Sequence, residues 1–115
     1  MIARGRLGEE TTVGRGCERF DSLASGDGVR VERIVSLAAA SPPGHWDEQE
    51  TEEWVLLVAG AAGLEQETPP RVLELGPGDW VRIPAGCRHR VAWTAEDEPT
   101  VWVAVHYRKR GTGTN

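Results

Sequence analysis

The fold of this chain is decided by the stretch Gly78-Asp79-Trp80-Val81-Arg82-Ile83-Pro84-Ala85-Gly86-Cys87-Arg88-His89. The glycine and aspartate at its start favour a tight turn, and residues 80–83 have the apolar and aromatic character of a strand. Pro84 and Gly86 then end the strand and turn the chain. We therefore predict two strands joined by a short loop, with His89 on the second strand and directed into the interior.

Similar short runs, separated by turn residues, extend on both sides of this stretch. We predict strands over residues 29–35, 45–49, 54–59, 64–66, 72–75, 80–83, 89–93 and 101–107. About eight short strands separated by turns are typical of an all-β sandwich or a small barrel. A helix over residues 56–66 is the alternative, which Gly60 and Gly63 disfavour.

The length and composition agree with a single β-rich domain. The chain has 115 residues, of which 39% are hydrophobic, which suffices for one core. Its 14 glycines and 7 prolines favour turns over long helices. We expect a flexible N-terminal arm over residues 1–27, a barrel over residues 28–107 and a disordered tail over residues 108–115. Residues 20–23 could instead supply an edge strand or an arm exchanged between subunits.

The net charge and the cysteines limit the possible partners of the protein and its cellular compartment. The net charge of −5 disfavours nucleic acid and anionic membranes as partners. The basic run at residues 108–110 is interpreted as a solvated tail. Cys17 and Cys87 form no C-x-x-C pair, so we expect two free thiols. The start of the chain lacks the apolar stretch of a signal peptide, which predicts a cytoplasmic protein.

The spacing Gly78-x5-Pro84-x-Gly86-x2-His89 resembles the second motif of the cupin family. Only the last position of that motif differs, because Trp93 stands where the motif has asparagine. The run Glu53-x6-Gly60 resembles the second half of the first cupin motif. With three spacer residues, the two histidine positions of that motif fall on residues 47 and 49. With four, they fall on residues 46 and 48.

The resemblance covers about residues 29–107 and carries expectations about fold and chemistry. It implies a single antiparallel jelly-roll β-barrel that is often dimeric. It also implies that a divalent metal is often bound inside the barrel by histidines and a glutamate. The family as such implies no single reaction.

Alternation along extended strands gives a candidate site. His45, Asp47 and Gln49 share one face of the predicted short strand, and Glu53 heads the next strand. In the cupin topology these residues converge on His89. Imidazole, carboxylate and amide donors suit Fe²⁺, Mn²⁺, Ni²⁺ or Zn²⁺. The candidate metal ligands are therefore His45, Asp47, Gln49, Glu53 and His89. The alternative is no metal, with His89 bonded to Glu53 as an interior histidine.

Aromatic residues and a further histidine are candidates for the pocket wall. The chain has five tryptophans, and most of them are expected to pack in the core or in a dimer interface. Trp46 and Trp93 flank the candidate site in the motif alignment, so they could line a pocket for a flat or apolar molecule. His106 lies on the last predicted strand, where it either packs in the core, forms a hydrogen bond or lines the pocket.

Three functions fit these features. The first is a small-molecule-binding cupin that could also hold a divalent metal, with no assignable reaction. The second is a metal-dependent dioxygenase or isomerase. The third is a metal-free sensor or structural barrel that works as a homodimer, for which the tryptophan content is the argument. The sequence contains no G-x-S-x-G and no H-E-x-x-H motif that would point to other chemistry.

Overall fold

The computed structural model describes residues 1–109, so residues 110–115 of the predicted tail lie outside the described residues. The chain forms eight strands: β1 (Cys17–Gly26), β2 (Val29–Leu37), β3 (Glu52–Ala59), β4 (Ala62–Gln66), β5 (Arg71–Leu75), β6 (Trp80–Ile83), β7 (His89–Thr94) and β8 (Thr100–Tyr107). The described residues contain no helix with the length and hydropathy needed to cross a membrane.

The strands form two antiparallel sheets. The larger sheet has the order β1-β2-β8-β3-β6, and the smaller sheet has the order β5-β4-β7. Apolar residues from both sheets form one core, which includes Leu57 and Trp102 of the larger sheet and Leu64 of the smaller sheet. Within residues 1–109 no strand ladder closes the two sheets into a barrel. The all-β antiparallel fold is thus confirmed, and the expected jelly-roll barrel is confirmed in part, since its two facing sheets have free edges.

Most predicted strands are confirmed to within a few residues. The exception is the predicted strand over residues 45–49, where only Asp47 forms a bridge, with His89. The helical alternative over residues 56–66 does not occur, because the chain turns at Gly60 between β3 and β4. Cys17 and Cys87 are free thiols, as predicted.

Part of the N-terminal segment belongs to the larger sheet. Residues 17–26, assigned above to a flexible arm, form the edge strand β1 and pair with β2 over nine positions. The buried guanidinium of Arg33 holds the preceding segment against this sheet. It donates hydrogen bonds to the carbonyl oxygens of Leu7 and Glu9 and to the carboxylate of Asp21. A buried guanidinium is costly without such partners, so this segment is tied to the fold.

The register between β3 and β8 divides the interior into an apolar and a polar end. Leu57 pairs with Trp102 at the apolar end, and Glu53 pairs with His106 at the polar end. Side chains at alternate positions of both strands point inward. The register therefore places a carboxyl group and an imidazole side by side in the interior.

The turn at Gly60 explains the glycine that ends the first motif. Gly60 has φ +90°, a conformation that L residues with a side chain rarely adopt. A Cβ atom there would lie 2.6 Å from Thr100 Cα and 2.9 Å from the carbonyl oxygen of Pro99. Both neighbours are backbone atoms, so the clash cannot be relieved by a side-chain rotation.

We expect Gly60→Ala to lower the free energy of unfolding by about 1–3 kcal/mol more than Gly44→Ala, because both positions share the strain of a positive φ and only the Cβ at position 60 would clash with backbone atoms. Gly44 is the matched control: its φ is +80°, and no atom lies within 4 Å of the position its Cβ would take. Urea unfolding of both variants measures the difference. Equal losses of unfolding free energy in the two variants would show that the close approach of Gly60 to β8 is not a constraint.

Candidate functional site

A cavity of about 140 Å³ lies between the two sheets. That volume is close to the roughly 150 Å³ of an engineered protein cavity that binds benzene. Seven of its lining side chains are apolar, and the polar ones are Glu18, Asp47, Gln49, Glu53 and His89. The cavity can therefore hold one small ring, with polar groups along part of its wall.

Glu53 is the most enclosed acid of this wall, with 7% of its surface exposed. Its Oε1 lies 3.8 Å from His89 Nε2, and its Oε2 lies 3.9 Å from His106 Nε2. No hydrogen-bond donor reaches Oε1 in the described part of the chain. Burial raises the pKa of the Glu53 carboxyl, and the nearby His106 and His89 oppose that rise.

His89 has a defined orientation because both its backbone and its ring are held. Its backbone forms a bridge with Asp47. Its Nδ1 lies 2.9 Å from the carbonyl oxygen of Cys87. A carbonyl oxygen can only accept, so Nδ1 carries a hydrogen and donates it. In the neutral ring Nε2 therefore bears a lone pair, on the side of the ring that faces Glu53.

His106 lies behind the cavity wall and supports it. Its Nε2–H donates to Glu32 Oε1 at 3.0 Å. Its Nδ1 forms a hydrogen bond of 3.1 Å with the side-chain amide of Gln49. His106 is 5% exposed, so these contacts are made away from water. Of the alternatives given above, the structure shows the hydrogen-bonding one, which fixes Gln49 and lies next to Glu53.

Two predicted pocket residues lie on the outer face of the smaller sheet. Trp46 is covered by Arg90, whose guanidinium carbon is 5.9 Å from the ring centroid. Trp93 is 39% exposed and lies over Gly63. A register shift in β7 explains Trp93: residues 63 and 64 pair with residues 93 and 91, which leaves one extra residue between them. Such a bulge reverses the alternation, so Trp93 and His89 point to different faces.

His45 also lies apart from the cavity. Its side chain is 55% exposed, and its Nε2 lies 2.9 Å from Asp47 Oδ1. Of the five predicted metal ligands, the structure thus places four along the cavity wall, namely Asp47, Gln49, Glu53 and His89. Asp47 is bonded to His45, and Gln49 is bonded to His106.

Several cavity residues were missed from the sequence, among them Glu18, Phe20 and Trp102. Glu18 and Phe20 come from β1 and line the cavity from the segment expected to be an arm. Residues 18 and 20 lie two positions apart on β1 and so share one face of the strand, which is the pattern that could have identified them. Trp102 was assigned only to general packing, yet it lines the cavity and its buried Nε1–H has no partner in the described residues. Alternation with His106 along β8 could have identified it.

Glu52 is a further missed residue and supports the loop that precedes His89. It lies in an acidic stretch of the sequence next to Glu53, yet it is 4% exposed. Its Oε2 accepts a hydrogen bond of 2.7 Å from the backbone N–H of Ala85. The backbone N–H of Gly86 donates to the carbonyl oxygen of Gln49. These bonds fix the turn that directs His89 into the cavity.

The family of the chain follows from its match to a family model. The model described as "Cupin domain" matches residues 33–106. The chain belongs to the cupin family. No protein with a curated description matches the sequence significantly.

Several solved structures resemble this chain. A protein from Ralstonia eutropha JMP134, described as a "putative mannose-6-phosphate isomerase", is 48% identical, with a TM-score of 0.86 over 94% of this chain and 100% of that chain. The polyketide cyclase RemF from Streptomyces resistomycificus is 20% identical, with a TM-score of 0.72 over 96% of this chain and 82% of that chain. A cupin superfamily protein from Desulfitobacterium hafniense DCB-2 is 14% identical, with a TM-score of 0.73 over 94% of this chain and 95% of that chain. At these last two identities only the fold is shared.

The donor atoms of this cupin do not fit the metal centre that the family often contains. Residues 1–109 hold no group of three or more histidine, cysteine or acidic side chains arranged to bind a metal ion. Asp47 bonds to His45, and Gln49 bonds to His106. Glu53 and His89 remain as two donors, whereas catalytic zinc sites use three protein ligands. We therefore derive no chemistry through a metal from this arrangement.

We expect Glu53→Gln to become more stable relative to the wild type as the pH rises. The pKa of Glu53 is raised in the folded state above its ordinary value of 4.5, so ionisation disfavours folding. The stability that the protonated carboxyl contributes is complete below pH 4.5 and is lost as the pH rises through the folded pKa. The difference grows by at most about 1.4 kcal/mol per pH unit within this window.

Urea unfolding of both proteins between pH 4 and 8 measures this difference. A difference in unfolding free energy that stays constant over the whole pH range would contradict a buried carboxyl with a raised pKa at position 53.

Proposed function

We propose that this cupin binds a small organic molecule in the cavity between its sheets. The observation that carries the proposal is a pair of buried polar atoms on two cavity residues, Glu53 Oε1 and Trp102 Nε1, that have no partner among the described residues. Leaving such a group unbonded costs about 1–3 kcal/mol. Both residues line the cavity, so a bound molecule that supplies a partner to either atom would offset part of this cost.

Glu53 and His89 would be the groups that exchange a proton with the bound molecule. His89 offers the lone pair of Nε2, and Glu53 is a carboxyl group whose pKa is raised by burial. A base beside an acid of raised pKa is suited to general acid–base chemistry. Proton transfer of this kind is what an isomerase needs, and the relative that is 48% identical is described as one. A dioxygenase would need a further metal ligand, so we do not propose that reaction.

The expected homodimer remains a prediction. Phe20 and Leu23 are 59% and 48% exposed on β1, which is an edge strand of the larger sheet. Exposed apolar side chains on an unpaired edge favour association with a second copy.

A screen of uncharged single-ring molecules by methyl-detected NMR tests the binding proposal. We expect binders whose shift changes centre on Val55, Leu64 and Val91, which line the cavity. His89→Ala should weaken binding about tenfold, because it removes a hydrogen-bonding group.

Trp93→Phe is the matched control, since this residue lies on the outer face, and it should bind as the wild type does. Shift changes confined to the outer surface, or an absence of binding at millimolar concentrations throughout the screen, would refute the proposed function.

A further inference from the structure

The charge of the cavity wall restricts what can bind. Three acids line it, Glu18, Asp47 and Glu53, and no arginine or lysine is among its lining residues in the described part of the chain. Arg90 on β7 is turned outward, where it donates to Glu65 and to the carbonyl oxygen of Ser41. A phosphate or carboxylate would be buried here beside acids with no counter-charge, which is strongly unfavourable.

The hydrogen-bonding groups of the wall favour a hydroxyl group. The Nε2 lone pair of the neutral His89 ring accepts a hydrogen bond. Glu53 Oε1 accepts when ionised and can donate when protonated, and Trp102 Nε1 only donates. A hydroxyl group both donates and accepts, so beside a protonated Glu53 it can accept from that carboxyl and donate to His89 Nε2, which lies 3.8 Å from Glu53 Oε1.

The size and polarity of the cavity limit the rest of the ligand. A volume of about 140 Å³ accepts a single six-membered ring with few substituents. Seven of the lining side chains are apolar, so most of the ring must be apolar as well. A hexose would leave several hydroxyl groups against Val55, Leu64 and Ile83, which offer no hydrogen bonds.

Building on the proposed function, we propose that the ligand of this cavity is an uncharged aromatic ring that carries a hydroxyl group, and that phosphorylated sugars are excluded. The hydroxyl group lies at Glu53 and His89, and the ring lies against the apolar wall and Trp102. The ligand class thus differs from the one in the description of the R. eutropha protein.

Calorimetric titration at pH 7 with phenol, benzene, benzoate and mannose 6-phosphate tests this inference. We expect phenol to bind at least tenfold more tightly than benzoate, and mannose 6-phosphate to show no binding at millimolar concentrations. The affinity for phenol should also be about tenfold higher than the affinity for benzene, since the hydroxyl group adds a hydrogen bond. Both His89→Ala and the more conservative Glu53→Gln should reduce the phenol-to-benzene ratio, whereas Trp93→Phe should leave it unchanged.

The outcomes separate this inference from the proposed function. Tighter binding of benzoate or mannose 6-phosphate than of phenol would overturn the ligand class while leaving a binding cavity in place. Equal binding of phenol and benzene would overturn the role given to Glu53 and His89. Failure of all four probes, together with a negative NMR screen, would overturn both proposals. Circular dichroism of each variant shows whether a lost affinity reflects a lost fold.

Discussion

The burial of the Glu53 carboxyl beside two imidazole rings is the constraint on which the rest of the structure depends. A carboxyl group in a low-dielectric interior must be neutral or surrounded by groups that stabilise its charge. The fold provides two such groups. The β3–β8 register brings His106 alongside Glu53, and the loop after β6 brings His89 opposite it.

The neighbouring residue Glu52 has a structural role outside the cavity. Glu52 points to the other side of β3, where it accepts a hydrogen bond from the Ala85 backbone and so holds the loop that leads to His89. Two consecutive glutamates therefore build one site: one fixes the loop that carries the imidazole, and the other faces the imidazole. The apolar end of the same strands, at Leu57 and Trp102, supplies the packing that offsets the cost of the polar end.

Much of this could be predicted from the sequence because turn chemistry is local. Gly78, Pro84 and Gly86 fix the path to His89 through properties of single residues, and Glu53 was identified because a carboxylate heading an apolar run needs a partner. Trp93 could not be placed, since a bulge that reverses the alternation depends on pairing with a distant strand. Phe20 was missed because β1 is a polar edge strand whose order comes from pairing with β2 rather than from its own pattern. Whether the two sheets close into a barrel could not be predicted either, because closure also depends on long-range pairing.

The central claim is that His89, held by a hydrogen bond from its Nδ1 to the Cys87 carbonyl oxygen, presents Nε2 to Glu53 across the cavity. Nitrogen-15 NMR of the His89 ring, followed as a function of pH, tests it most directly. The account predicts that the neutral ring carries its hydrogen on Nδ1 and leaves Nε2 bare. A neutral ring with its hydrogen on Nε2 would contradict it.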